Sequence, residues 1–212
     1  MEKIIFATNN KRKLEDLKSV LNELNYDIEV LGLEDIGWSF GLIKEEYQTL
    51  EENSCYKAAV ILGFCKSQDK EFNYPIISDS SALVFSNLDS ESGIYTERYA
   101  DDELDIRPIA PDYQCLFKLL RNLKKYASRD AVYKCVITYM MPDGQYFQET
   151  GETKGYIADS FIGSPERPYY YSIFIADGYR KLFNELNNEE LKDTFRHKAL
   201  RKVLTKKDEN RF

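Results

Sequence analysis

The sequence predicts an α/β chain on a mixed sheet. Short apolar runs alternate with leucine-rich stretches of helical spacing. A Pro142-Asp143-Gly144 turn separates two strand-like segments and calls for an antiparallel hairpin. The composition, 43% hydrophobic and 31% charged over 212 residues, is that of a globular chain long enough for one large domain or two small lobes.

The elements follow in order. Ile4-Ile5-Phe6-Ala7 is a short buried-strand signal, and Leu14, Leu17, Leu21 and Leu24 then recur as a helix face. Ile28-Glu29-Val30-Leu31 alternates like a second strand. Thr49-Leu50-Glu51-Glu52 has the form of a capping box, a hydroxyl with a glutamate three residues on. Ala58, Ala59, Leu62 and Cys65 give the helix it opens an apolar face. Pro75 precedes a buried strand whose end, Ile77-Ser78-Asp79-Ser80-Ser81-Ala82-Leu83, reads as running into a small-residue turn. Leu116, Leu119, Leu120 and Leu123 mark a helix beginning near Pro111-Asp112. Ala131 to Met140 is a long strand, and Gly151 and Gly155 punctuate its return. Tyr169 to Ile175 reads as a strand closed by Asp177-Gly178. Leu191, Phe195, Ala199, Leu200 and Val203 describe a final helix, with Arg201 to Arg211 as a solvated basic end. With no linker, repeat or low-complexity segment, residues 1–212 read as a single domain.

Charge and composition prune the functions. Acidic residues number 36 against 29 basic, a formal net charge of -7, so a nucleic-acid polymer is not expected as partner. A small anionic substrate remains compatible, because local lysines and a bound cation outweigh the global field. Cys55, Cys65, Cys115 and Cys135 form no CxxC pair, and His197 is the single histidine, which gives a zinc site little support. His197 reads as an exposed or capping residue of the last helix, with no Ser-His-Asp or Cys-His device to join. No apolar run approaches the ~20 residues of a membrane helix, and no signal peptide precedes the first strand, so a cytoplasmic protein with reduced thiols and no membrane partner is expected.

Thr8-Asn9-Asn10-Lys11-Arg12-Lys13, between the first strand and first helix, combines hydroxyl, amide and cationic groups with a helix N-terminus, as phosphate binding needs. Being neither a Walker A motif nor GxGxxG, it reads by itself as an ordinary polar connection. Asp16, Glu45, Glu46, Glu51 and Glu52 are hard oxygen donors suited to Mg²⁺ or, as commonly, to a solvated helix surface. Lys57 either reaches a phosphate or makes a surface ion pair.

Taken together, the pieces resemble the Ham1-like, or inosine triphosphate pyrophosphatase-like, nucleoside triphosphate pyrophosphatases. Ala7 to Asp16 matches A-T-x-N-x-x-K-x-x-E with aspartate for the last glutamate. Thr49 to Ala58 matches T-F-x-E-N-A-x-x-K-A, and Ser92 to Ala100 matches P-G-x-Y-S-A-R-Y-A. Gly151 to Ile157 fits G-x-x-x-G-x-I, and Ile173 to Phe183 with Arg196-His197-Lys198-Ala199-Leu200 fits the C-terminal part. The resemblance implies two lobes around a long mixed sheet with flanking helices, a homodimer, and a nucleotide in the cleft between lobes. It implies Mg²⁺-dependent hydrolysis of non-standard nucleoside triphosphates to monophosphate and pyrophosphate. Carried over by position, Thr8, Asn10, Lys13, Lys57 and Ser81 bind phosphates. Asp16, Glu45 and Asp79 hold or orient the metal, Asp79 and Ser80 form the catalytic pair, and Tyr170, Tyr171, Phe174 and Arg196 lie at the base.

The chain also departs from that pattern. The family's paired acidic turn D-D-S-G-L becomes Asp79-Ser80-Ser81-Ala82-Leu83, so the second carboxylate falls on Ser80. The aspartate of G-[YW]-D-P-I-F falls on Tyr171, and the histidine of S-H-R on Phe195, with Arg196 kept. The reading is an Mg²⁺-dependent pyrophosphatase with activity weakened or respecified at Ser80, Tyr171 and Phe195. Its alternative is a nucleotide-binding relative with impaired catalysis.

Overall fold

The computed structural model describes residues 2–41, 43–85, 111–125, 128–160 and 169–209, with backbone only for 111–113 and 169. The Ser92–Ala100 block lies outside the described residues. Six strands form one sheet: β1 (Glu2–Phe6), β2 (Ile28–Leu31), β3 (Ile76–Phe85), β4 (Asp130–Met140), β5 (Tyr146–Ile157) and β6 (Phe174–Ala176). Their order is β2-β1-β3-β4-β5-β6. β1 pairs parallel with β2 and with β3, while β5 pairs antiparallel with β6. The mixed α/β expectation is therefore borne out. The expected hairpin joins β4 to β5, where the Met141 amide donates to the Gln145 carbonyl at 2.7 Å and Gly144 takes φ 92°.

The chain divides into two compact units. The first comprises Met1–Ser81, Cys135–Gly151 and Lys192–Phe212. It holds helices α1 (Lys11–Glu23) and α2 (Leu50–Gln68). Its core joins Ile5, Ala7, Leu33, Ala58, Ile61, Leu62, Ile76 and Met140. Each isoleucine, leucine or methionine among them contributes about 1.5–3 kcal/mol by leaving water. Thr49 and Glu52 form the capping box read from the sequence, with the Glu52 amide donating to Thr49 Oγ1 at 3.1 Å.

The second unit comprises Ala82–Lys134 and Glu152–Leu191. It contains α3 (Pro111–Leu123) and the short helix α4 (Asn188–Leu191). Among its described residues Tyr133, Tyr171, Phe174 and Phe183 form an aromatic cluster, with Tyr171 and Phe183 centroids 4.6 Å apart. The strand expected over Tyr169 to Ile175 is instead a 3₁₀ turn, Tyr169–Ser172, before the short β6. Packing of Tyr171 on Tyr133 and Phe183 overrides the β-propensity of the tyrosine run.

The final helix, α5 (Phe195–Glu209), differs from expectation in two ways. His197 is 3% exposed rather than at the surface, and burial pushes its pKa down. The basic tail, over its described residues 201–209, is helical and ion-paired rather than merely solvated. Arg201 meets Glu23 at 2.8 Å, Lys206 meets Glu149 at 2.6 Å and Lys207 meets Glu2 at 2.7 Å. Pairs of this kind are worth about 0–1 kcal/mol each, so they orient α5 more than they stabilise it. Among the described residues no helix is long and apolar enough to cross a membrane.

Candidate active site

Strand β3 passes straight through the position where the sequence suggested a turn. It is covered on both faces, so its run is apolar except where a polar side chain finds a partner. Successive side chains of a strand point to opposite faces. Asp79 and Ser80 accordingly have different neighbours.

Asp79 faces α1 and α5. Lys13 Nζ donates to its Oδ1 at 2.8 Å, and Arg196 Nε lies 3.4 Å from its Oδ2. Arg196 Nη1 donates in turn to Asp16 Oδ2 at 2.9 Å. Asp79 is 1% exposed. Burial alone pushes its pKa up, but the charges of Lys13, Arg196 and Lys57 outweigh it and hold the carboxyl well below the usual carboxylate range. Cys135 is buried in the same field and its thiol is pushed up to about 12, first by burial and then by Asp79, which favours the protonated thiol there.

Ser80 faces the loop before α2. Its hydroxyl donates to Glu45 Oε2 at 2.7 Å, and Lys57 Nζ pairs with Glu45 Oε1. The Glu45 loop is clipped to α2 by Asn53, whose Oδ1 accepts from the Tyr47 amide and whose Nδ2 donates to the Tyr47 carbonyl, both at 3.0 Å. On the same face as Ser80, Ser78 Oγ donates to the Ser54 carbonyl at 2.6 Å and Thr138 Oγ1 to Ser54 Oγ at 2.7 Å. This buried hydroxyl set fixes α2, and so Lys57, against β3. Asn53 and Ser54 escaped the sequence reading because small polar residues inside a helix carry no chemical motif, although Asn53 does stand in the T-F-x-E-N-A block.

The structure thus brings Lys13, Asp79, Arg196 and Asp16 into one chain of ion pairs, and Lys57, Glu45 and Ser80 into a second polar group, both within the first unit. Thr8 and Asn10 hold the loop between β1 and α1. Asn10 Oδ1 caps α1 by accepting from the Arg12 and Lys13 amides at 3.0 and 3.4 Å, and its own amide donates to Thr8 Oγ1 at 3.1 Å. Ser81 follows on β3 and is half-buried. Tyr170, Tyr171 and Phe174 belong to the second unit and are buried there.

The donor set fits a hard divalent cation. Asp79 Oδ2 is buried and has no hydrogen-bond partner, the 3.4 Å approach of Arg196 Nε being an ion pair of poorer geometry. Such an oxygen is available to a ligand. Asp16, Asp79 and Glu45 are already paired with cations, and among the described residues no cluster of three or more His, Cys, Asp or Glu side chains forms a ready cage. Mg²⁺ suits that arrangement, because it is usually held by one or two carboxylates with substrate phosphates and water completing the shell.

Known proteins resemble this chain over nearly its whole length. A protein of Clostridium perfringens named dITP/XTP pyrophosphatase is 30% identical over 94% of this chain and 93% of its own length. Another of that name from Flavobacterium johnsoniae is 33% identical over 93% and 92%. The solved structure of a HAM1 protein from Coxiella burnetii superposes with TM-score 0.77 at 25% identity, covering 99% of this chain and all of that one, 100%. The Staphylococcus aureus Ham1 protein gives TM-score 0.73 at 27% identity, with 100% coverage of both chains. The sequence pattern of the Ham1 family matches residues 4–206, and the chain belongs to that family.

Proposed function

We propose that the chain hydrolyses nucleoside triphosphates to monophosphate and pyrophosphate with Mg²⁺, and that its base selectivity differs from that of the inosine- and xanthosine-directed relatives. The observation that carries the proposal is the exposed-to-buried pairing of Lys13 with Asp79 in a Ham1 chain. The names of the dITP/XTP pyrophosphatase relatives support the reaction class.

The residues divide the work as their charges dictate. Lys13, 23% exposed at the side chain, can pass from carboxylate to phosphate oxygens without crossing the core, and Lys57, only 10% exposed, meets phosphate from its place beside Glu45. They hold the triphosphate and stabilise charge on the departing pyrophosphate. Thr8 and Ser81 offer hydroxyls to the same phosphates, and Asn10 keeps the α1 N-terminus in shape. Asp79, through its partnerless Oδ2, would hold Mg²⁺ with substrate phosphates and water completing the shell, Asp16 and Glu45 would orient those waters, and the metal when bound supplies neutralisation of phosphate charge and a more acidic water. Asp79 is too strongly held in its ionised form to accept a proton readily, and the Ser80 hydroxyl is engaged as a donor to Glu45. The lost assistance is typically worth ~10²–10⁴-fold, so slow turnover is expected.

That same hydrogen bond favours a second reading, a nucleotide-binding relative with impaired catalysis. The two are separated by a panel of nucleoside triphosphates with Mg²⁺, assayed for pyrophosphate and monophosphate, with Asp79→Ala as control. Release from at least one nucleotide, lost in Asp79→Ala, supports the enzyme. Measurable binding with no release from any nucleotide overturns it in favour of the binder. The proposal includes a cytoplasmic homodimer, which sedimentation and cell fractionation test.

A further inference from the structure

Resting on the nucleotide reading above, we infer that Arg196 is a positioning residue that holds Asp79 and Asp16 in place, and that it does not read the base. Its side chain is 6% exposed. Nη1 donates to Asp16 Oδ2 at 2.9 Å from α5 to α1, and Nε lies 3.4 Å from Asp79 Oδ2 on β3. One planar guanidinium therefore spans carboxylates from two elements, which its rigid fork suits and a point-charge ammonium does not. The Phe195 ring, where the resembled family has histidine, lies 5.3 Å from the guanidinium carbon and packs beside it.

A base reader must turn its donor edge to the ligand. If Arg196 did so, it would leave Asp16 and Asp79 buried without a shared counter-charge, a costly arrangement when one partner of a buried pair is withdrawn. Asp79 has two cations with different access. Lys13 is 23% exposed at the side chain against 6% for Arg196. The phosphates of an incoming nucleotide compete for Lys13, and Arg196 stays to hold Asp79 while Lys13 is away. Arg196 thus fixes where the carboxylates stand, and the ligand exchanges with the lysine.

The test uses the full chain with Arg196→Lys and Arg196→Gln, alongside Asp16→Asn and the Arg196→Lys/Asp16→Asn double variant. Two readouts are taken: steady-state hydrolysis, and equilibrium binding of the non-hydrolysable α,β-imido analogues of inosine and adenosine triphosphate with Mg²⁺. A positioning role predicts that Arg196→Lys lowers kcat by about 10²-fold with KM little changed, as a small misplacement of catalytic groups does. The ratio of the two analogue affinities stays as in the wild type, and the double variant is no worse than the poorer single one. A base-reading role predicts the reverse: kcat nearly unchanged, KM raised and an affinity ratio altered by about tenfold or more, which overturns the inference. Should Arg196→Gln fail to fold, the charge-conserving Arg196→Lys and Asp16→Asn carry the comparison. A wild-type protein that binds the analogues but hydrolyses nothing overturns the enzyme reading, and the affinity ratio then decides the role of Arg196. Absence of any nucleotide binding overturns both.

Discussion

Asp79 and Ser80 are adjacent in sequence but answer to different neighbours. Asp79 is balanced by Lys13 and Arg196, whereas the Ser80 hydroxyl donates a hydrogen bond to Glu45. Restoring a second acid at position 80 is therefore not a simple repair. Ser80 is 1% exposed, so a carboxylate there would enter a buried site already facing the Glu45 carboxylate. Like charges at such range destabilise, and Lys57 offsets only part of the repulsion. We expect Ser80→Asp to lower Tm by about 2–4 °C per kcal/mol lost for a chain of this size. Ser80→Asp combined with Glu45→Gln should recover most of that loss. Equal melting of the single and double variants would show that Glu45 does not oppose the new acid.

At the scale of elements, β5 and α5 meet at Gly151. A Cβ there would overlap the Phe195 carbonyl oxygen and come within 2.6 Å of the Ala199 amide nitrogen. The neighbours are helix backbone and cannot step aside as a flexible side chain can. Gly151→Ala should cost at least ~3 kcal/mol, the upper range for overpacking. The measurement is denaturant unfolding, and a cost below ~1 kcal/mol would mean that α5 shifts freely on the sheet. Elements set by local rules were legible in the sequence: the capping box of α2 and the Pro142-Asp143-Gly144 turn formed as read, and α1 formed with Leu17 and Leu21 buried, although Leu24 caps it rather than joining its face. Elements decided by distant packing were not. The Tyr169–Ser172 turn answers to Tyr133 and Phe183, and β3 continues past Asp79 because Ser54 and Glu45 satisfy Ser78 and Ser80. The candidate site shows the same division. Its residues came from motif order, but the bridge from Arg196 to Asp16 spans 180 residues and leaves no local trace.

At the scale of the whole molecule, acid should unfold the chain from a definite starting point. His197 is the single histidine, and burial lowers its pKa in the folded state. A depressed folded pKa means that the unfolded chain binds the proton first. The contribution of neutral His197 is thus fully present above the ordinary histidine pKa of about 6.5 and is lost as pH falls through that value towards the folded one. Asp79, also depressed, acts in the same direction in the more acidic range below the ordinary carboxylate pKa of about 3.9. Unfolding free energy should fall between pH 7 and pH 5.5, and His197→Gln should flatten that slope. An unchanged slope in the variant would assign it to other groups.

The first unit is assembled from three separate stretches of chain, and the last of them carries α5. During synthesis Asp16 and Asp79 emerge early, but Arg196 follows Asp16 by 180 residues. A ribosome-bound chain therefore holds both acids without the guanidinium that balances them. Contacts of such sequence separation form late and slowly. The balanced carboxylates are consequently a property of a chain that includes α5: a nascent or C-terminally clipped chain has the 8–13 loop but not the guanidinium that spans Asp16 and Asp79.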